Sequence, residues 1–275
     1  MNLNAVKDFK VLVVGDAIRD KYVFVNPLGR SIKDPIISVA FEREEVYRGG
    51  VWAAAAHLTD FCAQVDVIDG NRVMTNTRFI EGVYNRKLFT IHQSSEESGE
   101  NITLEIKHYD LVIVIDFGHG TMSDSLIDKI SKEARFLVVN AQTNSQNFGF
   151  NVITKYKRAD YIVLDELEAR LAVHDNHSPL EDIILALGYK KIVITRGANG
   201  AIGFDGEFHR EPAIAKIIID TMGAGDAFLC VSAPYAAARF SIRDLIRIGN
   251  AAGAVKLGIL GHRKSVTKRE VEALL

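Results

Sequence analysis

Cysteine, tryptophan and long apolar runs are all scarce in this sequence of 275 residues. Its two cysteines, Cys62 and Cys230, lie in apolar stretches with a helical pattern, so we expect buried free thiols rather than a disulfide or a zinc site. No apolar run is long enough to span a membrane, and Val11–Val14 is too short to form a signal peptide. These absences predict a protein of the reducing cytoplasm with no membrane partner.

An excess of either charge is also missing, with 33 Lys and Arg against 35 Asp and Glu and a net charge of −2. Proteins that bind nucleic acid carry a basic surface, so we expect no nucleic-acid partner. An acidic substrate would be captured by local groups rather than by the overall field. The composition, 48% hydrophobic and 25% charged, is typical of a globular protein. The length is enough for one large α/β domain or two small ones.

The sequence does contain recurring short runs rich in Val and Ile, typical of strands buried on both faces of a sheet. The runs are Val11–Val14, Val65–Ile68, Leu111–Ile115, Phe136–Val139, Tyr161–Leu164 and Ile192–Thr195. Helical patterns lie between many of them, at Trp52–Phe61, Met122–Ala134 and Leu180–Leu187. This alternation predicts right-handed βαβ units and an α/β fold with a doubly wound, mainly parallel sheet flanked by helices.

Two regions, at about 21–46 and 78–92, break this alternation. The first has the pattern of strands with turns at Asn26-Pro27 and Asp34-Pro35, and the second that of a hairpin turning around Asn85. We expect both regions to form a small β-lid over one edge of the main sheet. Exposed strand edges tend to be paired or covered, so the lid strands also predict a homodimer.

Polar or glycine residues follow one predicted strand after another. They are Gly15-Asp16, Asp116–Gly120, Asn140, Asp165 and Arg196-Gly197. In an open α/β sheet, ligands bind outside the carboxyl ends of the strands. The repeated coincidence therefore predicts a binding site at this edge of the sheet.

The segment with the most specific pattern, Asp220–Phe228, reads DTMGAGDAF. We expect a strand from Ile217, then a turn, then a helix from Asp226 onward. The small residues Gly223–Gly225 would let backbone amides approach a ligand at the helix start, where the helix dipole favours negative charge. Asp226 beside them could accept the proton of an attacking hydroxyl. The alternative is a tight turn in which Asp226 only caps the helix.

This string resembles the C-terminal signature of the ribokinase-like (PfkB) carbohydrate kinases, DTxGAGD. Other motifs of that family have counterparts here: the glycine pair in YRGGVWAAA, the altered NxxE motif DELE at 165–168, TRGANG at 195–200, and the late helix NAAGAVKLGILG at 250–261. Since the resemblance covers nearly the whole chain, it implies a single domain over 1–275 that includes the lid. Within the family, the chain is most similar to the heptose 7-phosphate kinases, through GDAIRDKY at 15–22 and DFGHG at 116–120.

The resemblance implies transfer of the γ-phosphate of ATP to a sugar hydroxyl, with Mg²⁺ as the bridging ion. The catalytic residues that it implies are Asp226 as the base and, as the anion hole, Gly223, Ala224 and Gly225. It assigns Mg²⁺ to Asp165 and Glu168. The residues that it assigns to the sugar are Asp16, Asp20, Gly49, Gly50 and Asp116. Those that it assigns to the nucleotide are Thr195, Arg196, Gly197, Gly200, Thr221, Asn250 and Gly258.

The sequence departs from the family pattern more in the motifs assigned to the sugar than in those assigned to phosphoryl transfer. Trp52 and Ala53 stand where the family's GGAAN has Ala and Asn. His119 replaces the lysine of DYxKG, Asp165 replaces the Asn of NxxE, and the chain is short between 56 and 79. They leave open a PfkB-type kinase for another small sugar or a nucleoside, or a non-catalytic nucleotide- or sugar-binding relative. A Rossmann dehydrogenase is disfavoured, because no GxGxxG turn follows the first strand.

Overall fold

The computed structural model describes residues 1–70, 72–94 and 105–275. Within these ranges the chain forms twelve strands and seven α-helices. The strands are β1 (Lys10–Gly15), β2 (Ala17–Arg30), β3 (Ile37–Gly50), β4 (Gln64–Ile68), β5 (Val73–Glu81), β6 (Arg86–Ser94), β7 (Leu111–Asp116), β8 (Leu137–Ala141), β9 (Tyr161–Asp165), β10 (Ile192–Thr195), β11 (Ala201–Phe204) and β12 (Phe208–Glu211). The helices are α1 (Val51–Ala56), α2 (Asp124–Glu133), α3 (Glu166–Val173), α4 (Leu180–Leu187), α5 (Ala224–Ala237), α6 (Ile242–Leu257) and α7 (Lys268–Glu272).

Eight strands form the main sheet, in the order β12-β11-β10-β9-β8-β7-β1-β4. The neighbours from β4 to β10 pair in parallel, whereas β11 and β12 are added antiparallel. Alternate residues of β1 enter two cores. Val11 and Val13 pack on the side of α5 and α6, and Leu12 and Val14 pack on the side of α2 and α4. Both faces are therefore covered, and the predicted doubly wound, mainly parallel sheet is confirmed.

The two regions that break the helix–strand alternation form a second sheet, in the order β3-β2-β5-β6. β2 and β3 form a long antiparallel hairpin, and β2 pairs in parallel with β5. β5 and β6 form the hairpin that turns through Asn85, whose φ is 53°. Asp34-Pro35 lies in the connection between β2 and β3, as expected. The expected turn at Asn26-Pro27 is wrong, because this dipeptide continues β2 and a register shift after the proline accommodates it.

The inner face of the second sheet packs through a small apolar cluster. Tyr22, Phe24 and Ile80 are buried there, and Met222 and Leu260 pack against them. Met222 belongs to DTMGAGDAF, and Leu260 follows α6. The second sheet is thus anchored to the segment that has the most specific pattern in the sequence.

Two other expectations about local structure are wrong. Residues 212–220 form neither helix nor strand, so no strand leads from Ile217 into the turn. Instead, the backbone amide of Ile219 donates to the carbonyl of Leu257 at the end of α6, at 2.8 Å. The helix predicted over Trp52–Phe61 is regular only within the shorter α1, after which the chain turns.

The sequence predicts buried free thiols and no membrane span, because cysteines and long apolar runs are scarce. Both cysteines are buried and free, as predicted. In the described part of the chain, no helix combines the length and apolar character needed to cross a membrane.

Candidate active site

The segment DTMGAGDAF forms a turn that leads directly into α5. Gly223 is the N-cap residue, with φ 72° in the left-handed region that favours glycine, and α5 begins at Ala224 rather than at Asp226. The amides of the first turn lack partners within the helix, and the helix dipole makes this end positive. A Cβ atom added to Gly225 would meet no atom of the described residues within 4 Å, so this turn borders open space among them. The turn is therefore suited to bind an anion.

Asp226 lies in the first turn of α5 and is partly exposed. Its Oδ1 accepts a hydrogen bond from Nε2 of Gln142 at 2.6 Å. Burial raises the pKa of Asp226 above its ordinary value. The Gln142 hydrogen bond and the charges of His262 and Lys256 oppose that rise without cancelling it. A carboxylate with a raised pKa is a stronger base, which favours proton abstraction from a hydroxyl.

A cavity of about 630 Å³ opens in front of this turn, a volume typical of small-molecule sites. The predicted residues that line it are Asp165, Glu168, Thr195, Arg196, Gly197, Gly200, Thr221, Gly223, Ala224, Gly225, Asp226 and Asn250. Gly258, which the sequence also assigns to the nucleotide, does not line the cavity and is instead the C-cap residue of α6. Residues that are far apart in the chain thus meet around one space.

Polar side chains in the cavity wall are held by contacts within the protein. Nε of Arg196 lies 3.5 Å from Oε2 of Glu166. Nδ2 of Asn250 donates to the carbonyl of Pro212 at 2.9 Å. Arg196 therefore lies in the cavity wall with an acidic partner instead of projecting freely from the surface.

Asp165 and Glu168 form a capping box at the start of α3. Oδ1 of Asp165 accepts from the amide of Glu168 at 2.7 Å, and Oε2 of Glu168 accepts from the amide of Asp165 at 2.9 Å. Oε1 of Glu168 also accepts from the amide of Thr143 at 3.2 Å. Burial, followed by the charge of Asp165, raises the pKa of Glu168 to about 8.

The oxygen donors in this part of the cavity fit a cation. Oδ1 of Asn140, a buried residue in the same wall, has no hydrogen-bond partner in the described part of the chain. Among the residues that the structure describes, no three His, Cys, Asp or Glu side chains form a group able to hold a metal ion by themselves. Mg²⁺ commonly uses one or two carboxylates together with substrate phosphates. Asp165 and Glu168 match that type of site, and Glu168 would release its proton when the ion binds.

The residues that the sequence assigns to the sugar lie outside the cavity lining, and we name their region the acceptor side. Asp16 is buried there, and its Oδ2 accepts from the amides of Phe117 and His119 at 2.8 and 3.2 Å. Its Oδ1 accepts from the amide of Thr121 at 3.1 Å. Asp16 therefore holds the DFGHG loop in shape, a role that the sequence did not indicate.

Asp116, also assigned to the sugar, is buried at the end of β7. Its Oδ2 accepts from the hydroxyl of Tyr156 and lies beside Nζ of Lys155, both at 2.5 Å. Its Oδ1 accepts from Nδ2 of Asn151 at 3.2 Å. This carboxylate links β7 to the segment before β9.

Asp20 is buried on β2 and has two side-chain partners, a guanidinium and an imidazole. It forms an ion pair with Arg78 of β5, and its Oδ2 lies 3.2 Å from Nε2 of His262. Burial alone would raise the pKa of Asp20. The hydrogen bond to His262 and the charge of Arg78 outweigh burial and lower that pKa below its ordinary value.

The glycine pair at the end of β3 packs directly against these carboxylates. A Cβ atom on Gly49 would collide with Oδ2 of Asp20. One on Gly50, whose φ is 58°, would collide with the backbone oxygen of Asp16. Close packing within the protein therefore requires both glycines, independently of any contact with a sugar.

His262 connects the cavity with the acceptor side, and the sequence reasoning missed it. A Cβ atom added to Gly223 would lie 3.4 Å from its Cε1, and one added to Gly49 would lie 3.3 Å from its Nε2. Its position directly after NAAGAVKLGILG is the one signal that could have indicated it. Arg78 and Gln142 carry no comparable signal, because their partners are distant in sequence.

Two of the departures from the family pattern have clear positions. Trp52 packs against the core, its Nε1 donates to Asp69 at 3.0 Å, and Arg48 covers its ring at 4.4 Å. His119 lies in the DFGHG loop, where burial lowers its pKa. His119 is therefore neutral near pH 7 and does not replace the fixed charge of the family's lysine.

Comparisons with known proteins agree with this geometry. The model of the pfkB family of carbohydrate kinases matches residues 74–269. Bifunctional protein HldE from a Nitratiruptor species is 24% identical over an alignment 304 residues long, gaps included. The alignment covers 96% of this chain and 64% of that protein. HldE from Campylobacter curvus is 24% identical over an alignment of 310 residues, which covers 98% of this chain and 65% of that protein. The chain thus spans less than two thirds of the length of these relatives.

Solved structures share the fold. The ribokinase of Arabidopsis thaliana, determined with ribose and ATP, superposes on this chain with a TM-score of 0.75 at 15% sequence identity. The superposition covers 97% of this chain and 98% of the ribokinase chain. The ribokinase of Thermotoga maritima superposes with a TM-score of 0.72, also at 15% identity, over 97% and 99% of the two chains. These likenesses establish a ribokinase-like fold. Because the family model also matches more than half of the sequence, this chain belongs to the pfkB family of carbohydrate kinases.

Proposed function

We propose that this sugar kinase transfers the γ-phosphate of ATP to a hydroxyl of a sugar phosphate, with a heptose 7-phosphate as the expected acceptor. The observation that carries the proposal is the position of Asp226 in the first turn of α5, at the wall of a 630 Å³ cavity. The relatives named HldE and the GDAIRDKY and DFGHG motifs support a heptose acceptor.

In the proposed reaction, Asp226 accepts the proton of the acceptor hydroxyl while that oxygen attacks the γ-phosphorus. The bond from this phosphorus to the bridging oxygen breaks and releases ADP. The amides of Gly223–Gly225 and the dipole of α5 stabilise negative charge on the transferred phosphoryl group. The 2.6 Å hydrogen bond from Gln142 fixes Oδ1 of Asp226 and leaves Oδ2 to take the proton.

The nucleotide would occupy the cavity between the 195–200 loop and α6. Asp165, Glu168 and the unpaired oxygen of Asn140 would hold Mg²⁺, directly or through its waters. When bound, the ion would neutralise charge on the β- and γ-phosphates.

The charges of the acceptor side suit an anionic sugar. Asp20 is paired with Arg78 and His262, and Nζ of Lys87 lies 2.8 Å from Oδ1 of Asp220. A sugar phosphate can exchange with these internal pairs, because its hydroxyls can contact Asp20 while its phosphate engages the cations. An uncharged sugar or a nucleoside would leave the displaced cations without a partner, which favours the sugar phosphate.

A panel of acceptors with ATP and Mg²⁺ tests the proposal through ADP formation. The panel contains heptose 7-phosphate, other sugar phosphates, uncharged sugars and nucleosides, and mass spectrometry identifies the phosphorylated product. We expect the highest kcat/KM with heptose 7-phosphate. Turnover with another acceptor alone would reject the heptose assignment. Intact ATP binding without turnover of any acceptor would instead favour a non-catalytic relative.

We also propose that two copies of the chain pair through the outer face of the second sheet. The cross-strand register places Phe41, Val46, Phe89 and Ile91 on one face, and each is between 45% and 65% exposed. Several large apolar side chains exposed on one face of a sheet are typical of an interaction surface. Light scattering should give twice the chain mass of 30.4 kDa, and Phe89→Glu should give the monomer. A monomeric wild-type protein would reject the pairing.

A further inference from the structure

Lys256 lies in the last turn of α6 and is fully buried, with 0% of its surface exposed. Burying an ammonium group is strongly unfavourable unless its donors are satisfied. The reaction proposed above assigns no step to this residue, so its burial requires a separate explanation.

The ammonium group of Lys256 donates to backbone carbonyls from two segments. Nζ lies 2.7 Å from the oxygen of Met222, 2.8 Å from that of Gly261 and 3.5 Å from that of Ile259. Converging carbonyl oxygens are the ligands with which proteins bind K⁺, and a lysine has three donors to offer them. Lys256 thus fills, with its own side chain, a site built like one for a monovalent cation.

The same two segments bind the carboxylate of Asp220. Its Oδ2 accepts from the amide of Gly261 at 3.0 Å, and its Oδ1 accepts from the amide of Met222 at 3.2 Å. Met222 and Gly261 therefore bind an anion through their amides and a cation through their carbonyls. The two charges together join the turn before α5 to the loop after α6.

Lys256 also lies directly behind the anion-binding turn. A Cβ atom added to Gly223 would lie 3.3 Å from Cε and 3.8 Å from Nζ of Lys256. Burial lowers the pKa of Lys256, and the carboxylates of Asp220 and Asp226 oppose that fall. A positive charge at this place adds to the dipole of α5 where a transferred phosphoryl group would bind.

We propose that Lys256 is a positioning residue whose ammonium group acts as a built-in cation, holding the turn at Met222 and Gly223 in the geometry that binds the transferred phosphoryl group. The inference rests on the proposed phosphoryl transfer. It adds a consequence: because the cation is part of the chain, the reaction needs no added monovalent cation.

The first test uses the wild-type protein. ADP formation is measured with MgATP and the best acceptor in K⁺, NH₄⁺, Na⁺ and tetramethylammonium salts at equal ionic strength. We expect the same kcat in all of these salts. Strong stimulation by K⁺ or NH₄⁺ would overturn the proposal, because a site already filled by Lys256 has no place for either ion.

Two variants test the role of the charge. Lys256→Ala removes the ammonium group and leaves its space, whereas Lys256→Met removes the charge and fills the space. We expect kcat to fall about 100-fold in both, with a much smaller change in KM for ATP. NH₄⁺ or K⁺ should restore kcat in Lys256→Ala but not in Lys256→Met, and tetramethylammonium should restore neither. Failure of both small cations to rescue Lys256→Ala would overturn the proposal. The exposed Lys132→Ala is the matched control.

Thermal unfolding separates this inference from the proposed function. K⁺ and NH₄⁺ should raise the Tm of Lys256→Ala relative to tetramethylammonium and leave that of the wild type unchanged. If no acceptor supports turnover, the proposed function fails, yet this shift still decides whether the carbonyls form a cation site. If Lys256→Ala does not fold in any salt, the wild-type salt series decides the outcome.

Discussion

The cavity in front of α5 and the acceptor side differ in how their polar groups are satisfied. The cavity borders an anion-binding turn whose Gly225 faces open space, and Oδ1 of Asn140 in its wall has no partner within the described residues. On the acceptor side, Asp16 is bound by three amides and Asp20 by the side chains of Arg78 and His262. The cavity is therefore ready for a ligand, whereas an acceptor must exchange with contacts that already exist.

This difference indicates that the protein preorganises nucleotide binding more than acceptor binding. Backbone amides and glycines build the anion-binding turn before α5, so this turn needs no rearrangement of charged side chains to bind a phosphate. The acceptor half is held by ion pairs, and a bound sugar has to replace some of them. Binding of the acceptor should therefore be more sensitive to charge-changing substitutions than binding of ATP.

The largest expected effect on stability comes from Arg78→Met. This variant removes the guanidinium that pairs with the buried carboxylate of Asp20 and leaves the contact with His262. Loss of one member of a buried ion pair should lower the free energy of unfolding by about 3 kcal/mol, measured by urea denaturation. The double variant Asp20→Asn/Arg78→Met should recover part of this loss, and calorimetric affinity for ATP should stay near the wild-type value. A stability loss within error of zero, or a large loss of ATP affinity, would contradict the separation of the two halves.

A somewhat smaller effect is expected from Gly225→Val on the cavity side. The added side chain enters open space, so the Tm should be nearly unchanged. Obstruction of the phosphate position should lower kcat/KM for ATP about 100-fold, equivalent to about 2.7 kcal/mol. Ser125→Val, in the first turn of α2, is the control for a β-branched residue at a helix start. Wild-type turnover in Gly225→Val would show that the phosphates bind elsewhere.

The smallest effect is a pH dependence of stability from His57, which follows α1. Burial lowers the pKa of His57 from 6.5 to about 3. Below pH 6.5 the unfolded chain therefore gains a proton that the folded chain does not, and stability falls as the pH drops toward 3. This one proton contributes a slope of up to about 1.4 kcal/mol per pH unit.

His57→Asn should remove that slope from urea denaturation curves measured between pH 6.5 and pH 4. The asparagine retains an acceptor for the amide of Val266, which donates to Nδ1 of His57 at 3.0 Å. The exposed His177→Asn should keep the wild-type slope. Equal slopes in His57→Asn and the wild type would show that the histidine is not held neutral.

Local patterns were enough to predict the parallel strands of the main sheet, but not the antiparallel β11 and β12. Most of the parallel strands contain a continuous apolar run, β4 with its central Asp66 being the exception, and the turn before α5 is a contiguous string. Positions where a neighbour distant in sequence decides the structure were not predictable. The backbone at Ile217 bonds to the end of α6 instead of forming a strand, and Asn26-Pro27 stays within β2 because a register shift accommodates it.

The same distinction applies to the candidate site. Most residues predicted for the nucleotide do line the cavity, because short motifs place them at strand and helix ends. The sugar-side carboxylates were predicted by position but not by partner. Arg78 reaches Asp20 from another strand, and His262 reaches it from the loop after α6. Lys256 was part of a recognised helix motif, yet only the folded structure shows that its charge is buried.

The central claim is that Asp226 acts as the base beside an anion-binding turn, and Asp226→Asn tests it most directly. Asparagine keeps an acceptor for Gln142 but cannot take a proton at neutral pH. We predict that single-turnover ADP formation falls by about 10²- to 10⁴-fold, while calorimetry gives ATP affinity close to that of the wild type. The exposed Asp128→Asn on α2 is the control. Wild-type turnover in Asp226→Asn would contradict the account.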